Sequence, residues 1–208
     1  MIVVDVETTG IDPVRHAIIA IGAVDFSSPQ RRFYRECRIW PGAQVQPEAL
    51  AINGFTHEDI TDPSRMSAEQ AIAEFVGFCR ESQEHTIAGH NPNFDRNFLQ
   101  AAADRHKLAW LFGHRVLDLH SFCWMHMAKA GVERPTKNVR SNISLNVVLK
   151  YCGLPEEPRP HNGLTGALME TEAFARLIRG APFLDEFRQH PLPDGFGASP
   201  VHPQGSLL

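Results

Sequence analysis

The chain has 208 residues, 43% of them hydrophobic and 21% charged, and a net charge of −4. That is the make-up of a soluble globular protein, of a length that suits one domain with a full hydrophobic core. No apolar run approaches the ~18 residues of a membrane span, and residues 1–20 show no signal-peptide pattern, so no membrane association is expected. Cys37, Cys79, Cys123 and Cys152 lack a metal-type spacing and read as buried, reduced thiols of a cytoplasmic protein. The net charge neither favours nor excludes nucleic acid, because bound cations would offset an acidic metal site.

The chain opens with Met1-Ile-Val-Val-Asp5-Val-Glu7-Thr-Thr-Gly10. Side chains alternate along a strand, so Asp5 and Glu7 share one face while Val4 and Val6 point into the opposite layer. Two neighbouring buried carboxylates raise each other's pKa. A hard cation with oxygen ligands relieves that conflict; a solvated acidic strand end is the plainer alternative. Residues 17–26 read as a buried strand and 32–39 as a strand near an edge, which makes an antiparallel meander with the first. Residues 41–66 hold Pro41, Gly42, Pro47, Asn53-Gly54 and Asp62-Pro63, so connecting structure with one short helix near 47–52 is expected.

Ser67 and Gln70 form a capping box for a helix over 68–82, with Ala71, Ile72, Phe75, Val76 and Cys79 on its core face. A short strand at 86–88 precedes Asn91-Pro92, which reads as N-cap and first residue of a helix to about 107. Asp95 then stands in the first turn, where the helix dipole favours an anion. Residues 115–119 read as a strand, followed by a helix to about 130. A polar loop, 131–142, carries Arg134, Lys137 and Arg140. A helix over 143–151 ends at Gly153, and after a Pro-rich turn a last helix opens near His161 and runs to about Ile178. Residues 181–208, rich in Pro and Gly, read as a tail appended to a domain spanning 1–180.

Taken together, Asp5-x-Glu7-Thr-Thr-Gly, Asn53-Gly-Phe-Thr, His90-Asn-x-x-Phe-Asp95, Ser144-Leu-x-x-Val-Leu and His161-Asn-Gly-Leu-x-x-Ala resemble the motif series of the DEDDh (DnaQ-like) 3′–5′ exonucleases. Five motifs in order over one domain length are specific where one would be weak. The resemblance implies a ribonuclease-H-like α/β fold, a mixed five-stranded sheet flanked by helices. It implies hydrolysis at the 3′ end of single-stranded DNA or RNA, with two Mg²⁺ or Mn²⁺ ions. Asp5, Glu7 and Asp95 would be metal ligands and His161 the general base, a task suited to an imidazole. It also implies a polymerase or a second copy of the chain as partner.

One position departs from the family pattern. The fourth family carboxylate stands five residues after the histidine, where this chain has Gly166. Glu170, one turn on, is rotated by about 40° and displaced by about 6 Å along the axis, from where its longer side chain could reach back. A solvated helix position is the plainer reading of Glu170, and Glu172 faces another direction. The alternative function is therefore a weakened family member that binds nucleic-acid ends or a protein without efficient cleavage. Substrate contacts are expected from Thr8, Thr9 and Gly10, from Phe55 and Asn91, and from Lys137 and Arg140 on phosphates; a buried core position is the plainer reading of Phe55, and a solvated loop that of the two cations.

Overall fold

The computed structural model describes residues 1–197; the rest of the expected tail, 198–208, lies outside the described residues. The chain divides into two compact units, one of residues 1–118 and 157–171, the other of residues 119–156 and 172 onward.

The first unit is built on a five-stranded sheet in the order β3-β2-β1-β4-β5. Its strands are β1 (Ile2–Thr8), β2 (Ile18–Asp25), β3 (Arg32–Glu36), β4 (Ile87–Gly89) and β5 (Val116–Asp118). β1, β2 and β3 pair antiparallel, while β1–β4 and β4–β5 pair parallel. Ile2, Val4 and Val6 enter a core with Ile72, Phe75 and Val76 of α3 (Ala68–Arg80) and Phe98 and Leu99 of α4 (Pro92–Arg105). With the even positions of β1 committed to that core, the odd positions Asp5 and Glu7 are turned to the other face. There the last helix, α7 (Gly163–Arg179), begins. Its close approach needs two glycines: a Cβ on Gly22 would stand 2.0 Å from the Gly163 carbonyl carbon, and one on Gly163 2.6 Å from the Asp5 carbonyl oxygen.

The segment 41–66 holds two short helices rather than one, α1 (Pro47–Asn53) and α2 (His57–Thr61). The second starts from a capping box in which Thr56 and Asp59 satisfy each other's backbone N–H groups, a signal carried by an Asp where Glu or Gln is the commoner partner.

The second unit contains α5 (Leu119–Lys129), α6 (Leu145–Tyr151), the C-terminal half of α7 and a 3₁₀ turn at Asp185–Phe187. The expected loop 131–142 instead contains a minimal hairpin, β6 (Thr136–Lys137) and β7 (Arg140–Ser141). Its tip residues Asn138 and Val139 have φ of 50° and 59°, the left-handed pair a two-residue hairpin turn requires. No Asn-Gly marked it, and a β-branched residue at positive φ is an outlier sequence rules steer away from. α6 begins two residues later than expected because Ser144 is its N-cap, accepting from the Val147 N–H. The tail is anchored by hydrogen bonds as far as His190 and by Phe196, whose ring stacks on His126 at 4.6 Å. Arg176 donates to the carbonyls of Cys152, Phe187 and His190, and Glu172 accepts from the N–H groups of Phe183 and Leu184.

No described helix is long and apolar enough to cross a membrane, and all four cysteines are free and buried.

Candidate active site

Five acidic side chains of the first unit influence one another: Asp5 and Glu7 on β1, Asp95 on α4, Glu170 on α7, and Glu157 in the turn before α7. Asp95 is buried, and its Oδ1 accepts from the Val6 N–H at 3.0 Å, tying the start of α4 to β1 between the two strand acids. The helix begins as expected at Pro92, but Asn91 does not cap it with its side chain. It takes the left-handed conformation at φ 61°, and its N–H donates to Asp118 Oδ1 at 3.3 Å.

Glu170 is only 4% exposed, so the solvated reading of this residue does not hold. Its Oε1 accepts from the His90 N–H at 3.1 Å, while its Oε2 is buried without a partner. The room for that carboxylate comes from Gly89, where a Cβ would stand 3.1 Å from Oε2 and 3.0 Å from the Val4 carbonyl oxygen. Glu172 faces Arg176, 2.7 Å away, and takes no part in the acidic group.

Burial is the first cause of every pKa displacement here, with like charge next for Asp5, Glu7 and Glu170. Asp5 is held well above the carboxylate range by burial and then by Glu170, Asp95, Glu7 and Glu157. Burial, reinforced by Glu157, pushes Glu7 up to about 7, against a hydrogen bond with Asn53. Asp95 is also pushed up to about 7, by burial and by Glu7, although the Val6 N–H opposes it. Glu170 is raised by burial and Asp95, and Glu157 by burial, partly offset by His161.

His161 is half-buried, its backbone N–H donating to the Ile52 carbonyl at 3.1 Å. Its Nδ1 lies 3.7 Å from Glu157 Oε2. Glu157, which joins this acidic group, carries no signal of its own in the sequence. It precedes His161 by four positions in a Pro-rich turn, beside the equally acidic Glu156, and no local pattern separates the two. Gly166 has Asp5 directly above it: a Cβ there would stand 2.0 Å from Asp5 Oδ2 and 3.3 Å from Glu157 Oε1.

Among the described residues, no three His, Cys, Asp or Glu side chains stand in a ready-made metal-holding arrangement. Mutually repelling carboxylates do not converge by themselves. The donor set nevertheless fits a hard divalent cation. All five side chains offer oxygen, and two buried carboxylate oxygens, Glu157 Oε1 and Glu170 Oε2, lack any partner.

The expected substrate contacts fare unevenly. Thr9 is fully buried, its hydroxyl donating to the Gln44 carbonyl and accepting from the Ala17 N–H; this is a structural role. Thr8 is likewise buried, with its hydroxyl on the Gly10 carbonyl, and Gly10 packs against the His16 ring. The hydroxyls of Thr8 and Thr9 are thus engaged within the fold at the end of β1. Phe55 is half-buried under the Arg65 guanidinium, 5.5 Å from the ring centroid. It lines a cavity of about 270 Å³ together with Tyr34, Asn53, Arg65, His161 and Asn162. A larger cavity of about 480 Å³, around Arg38, Trp40 and His106, contains none of the five acids. Asn91 is exposed. In the second unit Lys137 and Arg140 are exposed and face each other across the β6–β7 hairpin, while Arg134 stacks on Trp124 at 4.7 Å.

The sheet order and flanking helices define a ribonuclease-H-like α/β fold. Among solved structures, exonuclease I of E. coli in complex with an oligonucleotide superposes with a TM-score of 0.67 at 18% identity, over 86% of this chain and 40% of that one. Its zinc-bound complex with single-stranded DNA superposes equally well, with a TM-score of 0.67 at 18% identity over 86% and 40% of the two chains.

The sequence narrows the class. The RNase_T exonuclease family profile matches residues 2–174, and the chain belongs to that family. It is 36% identical over 177 residues to a PolC-type DNA polymerase III of Thermotoga maritima, covering 85% of this chain but only 12% of the polymerase. It is 29% identical over 193 residues to ribonuclease T of Haemophilus influenzae, covering 85% of this chain and 76% of that protein.

Proposed function

We propose that the protein removes nucleotides from the 3′ end of single-stranded DNA or RNA by divalent-metal-dependent hydrolysis. The observation that carries this is the set of buried, mutually repelling carboxylates gathered around β1, with two carboxylate oxygens left without partners. DnaQ-like exonucleases use divalent metal ions. Asp5, Glu7, Asp95 and Glu170 would hold Mg²⁺ or Mn²⁺, with two ions as the working number. Such ions supply Lewis-acid stabilisation of phosphoryl charge and acidify a water. His161 accepts the proton of the attacking water, and its side chain reaches the cavity that Phe55 also lines. That cavity suits the terminal nucleoside, with Phe55 as a stacking surface. Asn91 would contact the strand near the start of α4. Lys137 and Arg140 would neutralise phosphates of a bound strand.

The matched polymerase segment favours a polymerase as partner over a second copy of this chain. Buried free thiols suit the reducing cytoplasm, and residues 1–180 would act together as the exonuclease domain. A second reading rests on Gly166: without a carboxylate there, the protein would bind 3′ ends and cleave them poorly.

The test uses 5′-labelled single-stranded DNA and RNA with Mg²⁺ or Mn²⁺. A ladder shortening from the 3′ end, abolished by EDTA and by a 3′-terminal phosphorothioate, is expected. Retention of 3′ ends without shortening, in either metal, would favour the second reading.

A further inference from the structure

We propose that Glu157 supplies a further carboxylate of the divalent-ion site beside Asp5, Glu7, Asp95 and Glu170, entering from the Pro-rich turn against the side-chain-free position Gly166 of α7. This rests on the metal-dependent reading above and assigns a ligand that the family motifs do not contain.

The first argument is position. An aspartate at 166 would carry its carboxyl carbon one bond beyond Cβ. Glu157 Oε1 lies 3.3 Å from that Cβ point, close enough that a side chain at 166 would press on it. Asp5 Oδ2, at 2.0 Å, takes the remaining space. The absence of a side chain at 166 is what admits both.

The second argument is the state of the oxygen. The Glu157 side chain is 8% exposed, and its Oε1 is buried with no hydrogen-bond partner. A buried carboxylate oxygen without a donor is costly to retain, and a cation is the partner that this surrounding of acids would admit. Its other oxygen lies 3.7 Å from His161 Nδ1, which places the carboxylate beside the proposed base.

The third is the anchoring of the turn. The His161 N–H bonds the Ile52 carbonyl, and Pro160 packs so closely on Gly54 that a Cβ there would be 2.6 Å from it. Pro158 and Pro160 restrict φ on either side of Arg159. Glu157 is therefore presented from a tethered segment. Glu170 is held separately from this turn: its Oε1 accepts from the His90 N–H, and it acts on Asp95 and Asp5 from α7.

The experiment is Mn²⁺ titration of the full chain by calorimetry, beside thermal unfolding with and without Mn²⁺. Glu157→Gln is expected to weaken Mn²⁺ binding by at least about tenfold, as loss of a metal-supporting group does. It should also raise the metal-free Tm by removing a like charge, and shrink the Tm rise that Mn²⁺ produces. That opposite movement cannot come from misfolding. Glu156→Gln, which removes the same charge from an exposed neighbour, should leave both readouts unchanged. Wild-type Mn²⁺ affinity in Glu157→Gln, with affinity lost in Glu7→Gln, would overturn this assignment alone. Unchanged affinity in both would overturn the metal site itself. An equal loss in Glu156→Gln would reduce the effect to net charge and overturn the assignment.

Discussion

Helix α7 carries two buried glutamates two positions apart, and they have opposite surroundings. Glu172 is fully buried at 2.7 Å from Arg176 and accepts from the Phe183 and Leu184 N–H groups, while Arg176 donates to three carbonyls. Each charge in that pair has its counter-charge and its hydrogen bonds, which is the condition for tolerating a buried ion pair. Glu170 has one backbone donor, one oxygen without a hydrogen-bond partner, and acids as the charges acting on it. Burial alone therefore does not separate an acid neutralised within the fold from one that is not. The difference is whether the protein supplies the positive partner or leaves it to be supplied from outside.

The largest expected effect lies on the unpartnered side. Glu7→Gln or Asp95→Asn should lower exonuclease turnover by about 10³ or more, some 4 kcal/mol of barrier, with the circular dichroism spectrum unchanged. Full activity in both variants would remove the site from β1 and α4. On the partnered side, Arg176→Met leaves Glu172 buried without its counter-charge. A loss of about 3–5 kcal/mol in denaturant-measured stability is expected, with Mn²⁺ affinity of the folded protein unchanged. If Arg176→Met costs under 1 kcal/mol, the contrast between the two acids fails.

Gly166→Asp sharpens the unpartnered case further. A vacancy that limits catalysis predicts a rate increase of about 10² or more. With Glu157 Oε1 beside the position and Asp5 Oδ2 in the space, we expect less than about tenfold change. Initial rates across a Mn²⁺ series decide between them.

The titration of the acids gives a sign. Glu7 and Asp95 are pushed up to about 7 from ordinary values of 4.5 and 3.8. Between those values the folded protein holds protons that the unfolded chain has released, so stability falls as pH rises. The Tm in EDTA should therefore fall from pH ~5 to ~7 relative to that of a Glu7→Gln/Asp95→Asn double variant, and saturating Mn²⁺ should remove the decline. A difference that grows in the other direction would mean these carboxylates have charged partners. The smallest effect belongs to the β6–β7 hairpin. Lys137→Ala with Arg140→Ala should flatten the salt dependence of single-strand binding by about two counterions; an unchanged slope would mean these exposed cations do not touch the strand.

Local chemistry made most of the frame readable without coordinates. Alternation along Met1–Gly10 separated Val4 and Val6 from Asp5 and Glu7, the Ser67–Gln70 box placed α3, and Asn91-Pro92 placed the start of α4. These signals act within one strand or one helical turn, so the sequence contains them whole. The spaced motifs that pointed to the exonuclease family, and the glycine at 166 within the last of them, are likewise matters of residue identity that the sequence displays. Tertiary structure decided what depends on distant neighbours. Thr9 turned inward because Gln44 and Ala17 meet its hydroxyl, and Glu170 turned to the acids because Gly89 leaves room and His90 offers an N–H. Glu172 turned to Arg176, and Glu157 came to stand over Gly166 because a tethered turn brings it there. A carboxylate looks the same in every one of these positions along the chain, and only the groups folded against it determine whether it is neutralised, solvated or left to bind a cation.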